Sequence, residues 1–197
     1  MQRIRRFQNN PDGATLVAGL IRFKGALYGT TENGGTDGYG TVFKVTSSGR
    51  ESALYSFTGG SDGAYPLGSL VAVKGELYGT TSSNAGSRGA GSVFKMTPSG
   101  SITVLHQFGA SGDASDPQAG LTYARGTFYG TTAEGGINGL GAVFAIEASG
   151  AESVLHSFTE ADGEQPKDVV VDVNGTLYGT TQGGGNPSQG TVFAVTP

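Results

Sequence analysis

The feature that most limits what this chain can fold into is a repeat with a period of about 50 residues. The words LYGTT, LYGTT, FYGTT and LYGTT place tyrosines at Tyr28, Tyr78, Tyr129 and Tyr178. A second word, VFK or VFA, places Phe43, Phe94, Phe144 and Phe193 in the same phase. A third places Asp12, Asp62, Asp113 and Asp162, each followed by Gly or Ala. Three words in constant phase mean one structural unit used four times.

Within a unit, GLIRF, then Lys24-Gly25, then ALYGTT reads as two strands joined by a tight turn, since glycine supplies the positive φ that such turns demand. Gly75, Gly126 and Asn174-Gly175 repeat that turn. A Gly-rich loop of eight to ten residues leads into TVFKVT, and Ser48-Gly49 turns the chain into ESALYSF. Val, Ile, Phe, Tyr and Thr dominate these segments, as pleated strands prefer. Each unit is therefore expected to be a four-stranded antiparallel meander. With 36 glycines and only 14% charged residues, the composition suits short strands and tight turns and not long helices.

A single meander cannot bury both of its faces, so the units must stack, either in a linear solenoid or in a closed propeller. The chain ends favour the propeller. The fourth unit stops at Pro197 without its fourth strand, and the segment Arg3, Ile4, Arg5, Arg6 and Phe7, followed by Asp12-Gly13, lines up with Val154 to Phe158 followed by Asp162-Gly163. The expectation is an all-β, single-domain β-propeller over residues 1–197, made of four four-stranded antiparallel blades, with the last blade completed by the N-terminal strand. Its repeats cover about 12–61, 62–112, 113–161, and 162–197 plus 1–11.

The recurring words resemble those of the bacterial tandem-repeat family called GloVer, and the strand order is similar to that of NHL-type propeller blades. That resemblance spans the whole chain. It implies a propeller fold and a secreted or cell-surface setting, and it brings no catalytic residues with it.

Several function classes are set aside by composition. No cysteine is present, which excludes disulfides and thiolate metal sites. A net charge of -4 argues against a nucleic-acid partner, because phosphate neutralisation needs a basic surface. Apolar runs only a few residues long give no membrane-inserting helix, and residues 1–10 carry arginines without the apolar run of an export signal. The crossover aspartates read as turn residues that accept backbone N–H bonds. The two histidines, His106 and His156, read by period-two alternation as packing or edge residues of the fourth strand. No cofactor, metal site or catalytic residue is therefore expected.

Binding residues concentrate on loops held by a rigid scaffold, which points to the face carrying the long Gly-rich loops. Candidates there are Glu32, Asn33, Asp37 and Tyr39 from the first unit, Ser83, Asn84 and Arg88 from the second, Glu134 and Asn138 from the third, and Gln182, Asn186 and Gln189 from the fourth. Tyr123 on an inner strand is a further candidate, as a stacking surface for a sugar or peptide. Arg22 and Asp172 are expected to pair at the channel mouth if the first and fourth blades are neighbours.

These readings favour a noncatalytic binding scaffold taking a glycan or protein ligand. Two alternatives stay open. One is a self-assembling protein, in which the N-terminal strand completes its own ring or another chain's, or two chains share one ring. The other is a propeller hydrolase, lactonase or lyase.

Overall fold

The computed structural model describes residue 7 and residues 10–84 and 90–197. Every regular element in them is a β-strand, and all strand pairs are antiparallel. The first sheet is β1 (Ile21–Phe23), β2 (Ala26–Thr31), β3 (Thr41–Val45) and β4 (Glu51–Ser56), hydrogen-bonded in that order. The second is β5 (Val71–Val73), β6 (Glu76–Thr81), β7 (Ser92–Met96) and β8 (Ile102–Gln107). The short strand β9 (Ala114–Ser115) precedes the third sheet, formed by β10 (Thr122–Ala124), β11 (Thr127–Thr132), β13 (Ala142–Glu147) and β14 (Glu152–Ser157); β9 pairs with β12 (Glu134–Gly135). The fourth sheet has three strands among the described residues, β15 (Val171–Val173), β16 (Thr176–Thr180) and β17 (Val192–Val195).

The first hairpin of each unit closes as the sequence predicts. Lys24, Lys74, Arg125 and Asn174 have φ between 45° and 52°, and the glycine after each is also positive. Two consecutive positive φ values define the type I′ turn, whose twist matches that of the flanking strands. A second regularity is absent from a simple period-two reading. The pairing of third and fourth strands slips between Val42 and Phe43, between Val93 and Phe94, and between Val143 and Phe144. A bulge of this kind breaks the alternation of faces along the outer strand.

The core lies between sheets and not within them. Tyr28 and Val42 of the first sheet bury against Leu70, Leu77 and Phe94 of the second. Tyr78 and Val93 of the second cluster with Leu121, Phe128 and Phe144 of the third. Tyr129 and Val143 of the third cluster with Val170 and Leu177 of the fourth. Edge-to-face rings mark each joint: Phe57 on Phe94 at 5.3 Å, Phe108 on Phe144 at 5.0 Å and Phe158 on Phe193 at 5.0 Å.

The GTT part of the repeated word is explained by these joints. The first threonine donates its hydroxyl to a backbone carbonyl of the next sheet: Thr30 to Gly68, Thr80 to Ala119 and Thr131 to Asp168, at 3.2, 2.7 and 2.9 Å. The second threonine bonds inside its own sheet, Thr31 with Thr41 at 2.9 Å, Thr81 with Ser92 at 2.8 Å and Thr181 with Thr191 at 2.8 Å. The glycine of the word lies under the repeated phenylalanine. A Cβ built on Gly79 would stand 2.7 Å from Phe94 Cζ and 2.8 Å from Leu70 Cδ2.

The N-terminal strand lies outside the described residues except for Phe7. Its ring packs edge-on against Phe43 at 4.9 Å.

Gly79→Ala is expected to lower stability by about 1–3 kcal/mol through overpacking against Phe94 and Leu70. Urea denaturation of the variant beside the parent chain reads this, with Gly75→Ala separating overpacking from turn strain because nothing lies nearer Gly75 than Lys24 Nζ at 4.0 Å.

Candidate functional site

The turn reading of the crossover aspartates holds in three units. Asp62 Oδ2 accepts the Thr58 N–H at 2.8 Å, Asp113 Oδ2 the Gly109 N–H at 3.2 Å, and Asp162 Oδ1 the Thr159 N–H at 2.7 Å. Each also receives a fourth-strand side chain seven or six residues upstream. Tyr55 donates to Asp62 at 2.9 Å, His106 Nε2 lies 3.2 Å from Asp113 Oδ2, and His156 Nε2 lies 3.0 Å from Asp162 Oδ2. Burial, then the hydrogen bond and charge of Asp62, push the Tyr55 hydroxyl up to about 12. His106 and His156 pack edge-on against Phe108 and Phe158 at 4.8 Å, as the alternation predicts, and each also meets an acidic partner at the crossover.

The joint between the second and third sheets adds a third group. Glu152, at the start of β14, brings a carboxylate oxygen within 4.8 Å of the donor atoms of His106 and Asp113. The equivalent positions are Glu51 in the first sheet and Ile102 in the second, so a glutamate starts the fourth strand in two of the three units, and what sets Glu152 apart is its approach to His106 and Asp113. Its Oε1 is buried and makes no hydrogen bond among the described residues. Burial, then the charge of Asp113, push the Glu152 carboxyl up to about 7. One imidazole nitrogen and two carboxylates form a donor set of the type that holds a divalent cation.

Asp113 also lines an open cleft of about 470 Å³, together with Asn84, Ser115 and Glu134. Asn84 comes from the long loop of the second unit and Glu134 from that of the third, so stacking brings together two candidates that lie 50 residues apart in the sequence. Asn84 Oδ1 is buried without a hydrogen-bond partner among the described residues.

The family scan identifies the repeat over residues 1–193 as the Gloeobacter/Verrucomicrobia repeat. The chain belongs to this family. No curated protein matches it. Among solved structures, it resembles a gluconolactonase from Xanthomonas campestris with a TM-score of 0.52 and 17% identity; the similarity covers 87% of this chain and 59% of that one. At that identity the likeness shows a shared, propeller-like fold, and this Gloeobacter/Verrucomicrobia repeat protein spans about three-fifths of the other's length. The expectation of a noncatalytic binding scaffold is corrected here. A solved structure that shares the fold is an enzyme's, and His106, Asp113 and Glu152 bring together an imidazole and two carboxyls that the sequence reading did not expect to converge.

The remaining candidates are dispersed. Asn33 Nδ2 donates to Thr15 Oγ1 at 3.2 Å, Tyr39 packs edge-on with Tyr65 at 5.8 Å, and Glu32 is held by its backbone N–H on Thr15 O at 2.9 Å. Asp37 is exposed. Ser83 Oγ donates to Asn84 O at 3.2 Å, and Asn138 Nδ2 to Phe158 O at 2.9 Å. Gln189 Nε2 donates to Ser188 O at 3.2 Å, while Asn186 and Gln182 are exposed. Tyr123 is half-buried against Phe128 at 4.8 Å. Arg88, Arg3, Ile4, Arg5 and Arg6 lie outside the described residues.

The expected pairing of Arg22 with Asp172 is also corrected. Asp172 pairs with Arg125 Nη2 at 3.3 Å, because the third sheet stacks directly on the fourth, whereas Arg22 belongs to the sheet at the other end of the row.

Glu152 gives the protein a pH signature. Its folded pKa of about 7 lies above the unfolded value of 4.5, so the native state binds more protons than the unfolded chain between these values, and stability falls as pH rises through that window. Melting temperatures of the parent and Glu152→Gln measured from pH 4 to 8 check this: the parent is expected to lose ground to the variant as pH rises from about 4.5 to about 7, and to run parallel to it outside that window.

Proposed function

We propose that this chain is a hydrolase that contributes four blades to a propeller and acts on a small hydroxylated lactone or ester in the cleft beside Asp113. The blade count is supported by the four equivalent units and by Phe7. The Phe7 ring meets Phe43 as Phe57 meets Phe94, where the last strand of a preceding blade belongs.

The observation that carries the hydrolase reading is Glu152: a carboxyl with a free, buried oxygen and a pKa of about 7, set against Asp113 and His106. A general base is most effective when its pKa lies near the working pH. In this reading Glu152 stands behind Asp113, which lines the cleft, takes a proton from the attacking water through that carboxylate and returns it to the leaving alkoxide by the same path, His106 holds Asp113 in place, and Asn84 and Glu134 meet the hydroxyl groups of the substrate. The polar lining of the cleft suits a sugar-like ring better than an apolar acid. The likeness to a gluconolactonase supports the choice of reaction class, while the site residues named are this chain's own.

Sugar lactones and aryl esters, assayed from pH 5.5 to 8 with and without added Mg²⁺, Ca²⁺ or Zn²⁺, test the proposal. The expected result is lactone opening that rises toward pH 7 and drops by roughly 10²–10⁴-fold in Glu152→Gln. No turnover above the uncatalysed rate under any metal condition, or full activity in Glu152→Gln, would sink it.

A further inference from the structure

The four sheets form a row whose two ends are left open. At each internal joint, the tyrosine and valine of one sheet are covered by the next: Tyr28, Tyr78 and Tyr129 are buried, as are Val42, Val93 and Val143. Their equivalents in the fourth sheet are not. Tyr178 is 42% exposed and Val192 79%, and Val171 and Val173 beside them are exposed as well. The opposite face is open on the first sheet. Leu70, Leu121 and Val170 are buried, whereas their equivalent Leu20 is 52% exposed.

The polar and backbone contacts of the joint are missing from the same two faces. Thr180 stands where Thr30, Thr80 and Thr131 stand, yet it is exposed and makes no hydrogen bond among the described residues. The carbonyl it would reach by repeat equivalence is that of Ala18, the counterpart of Gly68, Ala119 and Asp168. At the internal joints the site of a Cβ on Gly40, Gly91 or Gly141 lies within 2.8 Å of Cδ of Pro66, Pro117 or Pro166 in the next sheet. Gly190 has no such neighbour, and Leu16, which occupies the proline position of the first unit, is exposed. Phe7, finally, already sits on Phe43, where each internal joint places the last phenylalanine of the preceding sheet.

We infer that the open face of the fourth sheet docks on the open face of the first sheet of a second copy of this chain, and that two copies close head-to-tail into one ring of eight sheets. The two faces are unlike and complementary, so a single copy carries both halves of the joint. Propellers close with about four to eight blades. A single copy closing on itself would bury Tyr178, Val192 and Leu20, which the structure leaves exposed, and two copies of these four sheets cover every open face in a ring of eight, within that range. The occupant is identified by the repeat itself: what covers Tyr28, Tyr78 and Tyr129 is in each case the following sheet of this same motif.

Sedimentation of the 197-residue chain across a concentration series tests the inference. The expected species has twice the 19.9 kDa chain mass. Leu20→Asp and Val192→Asp each place a charge on one open face and are expected to weaken association on the order of 100-fold, since a buried unpaired charge opposes docking. Both positions are exposed in the single chain, and circular dichroism checks that each variant keeps its strands. An equimolar mixture of the two variants is expected to recover a complex, because the intact fourth sheet of Leu20→Asp meets the intact first sheet of Val192→Asp. A monomer at every concentration overturns the inference. So does a mixture no more associated than either variant alone, or a mass that grows without limit and denies closure.

Discussion

Everything in this molecule depends on one joint between neighbouring sheets. A tyrosine and a valine from one sheet are pressed onto a leucine and a phenylalanine of the next, and a threonine hydroxyl bonds a backbone carbonyl across the same gap. A four-stranded meander of three- to six-residue strands has too little apolar surface to be stable by itself. Burial of a side chain such as Tyr28 or Phe94 contributes about 1.5–3 kcal/mol, and only the neighbouring sheet makes that burial possible. The unit of folding is therefore the joint, and each sheet is stable to the extent that both of its faces are matched.

The repeat words made the sheets legible in the sequence. The Lys24-Gly25 turn and its three equivalents, the order of strands and the turn role of the crossover aspartates all follow from local rules about φ, alternation and side-chain acceptors. The candidate site was not legible, for two physical reasons. Counting residues put His106 and His156 beside Phe108 and Phe158, where they are, but could not show that the crossover folds Asp113 and Asp162 back onto the same rings. Glu152 is also far from His106 in sequence and meets it only because sheets stack. The glutamate itself gave no signal, since Glu51 opens the fourth strand of the first unit as Glu152 opens that of the third.

Arg22 and Asp172 teach the complementary point. Pairing them assumed that the first and fourth sheets touch. The charge on Asp172 is instead answered by Arg125 on the sheet beside it. Contacts inferred from neighbouring units are sound here, while contacts inferred from closure of the ring inherit whatever is assumed about that closure.

The threonine that bridges each joint reads nothing but a main-chain oxygen. Its acceptors are Gly68, Ala119 and Asp168, three residues with unrelated side chains. A fastening that ignores side-chain identity leaves positions such as Ala119 and Asp168 free to differ, while Gly68 is held by space, its Cβ site lying 2.4 Å from the Ala119 backbone. Duplicated units can thus diverge at the hub one at a time, acquiring new polar groups there while the architecture that carries them is inherited unaltered.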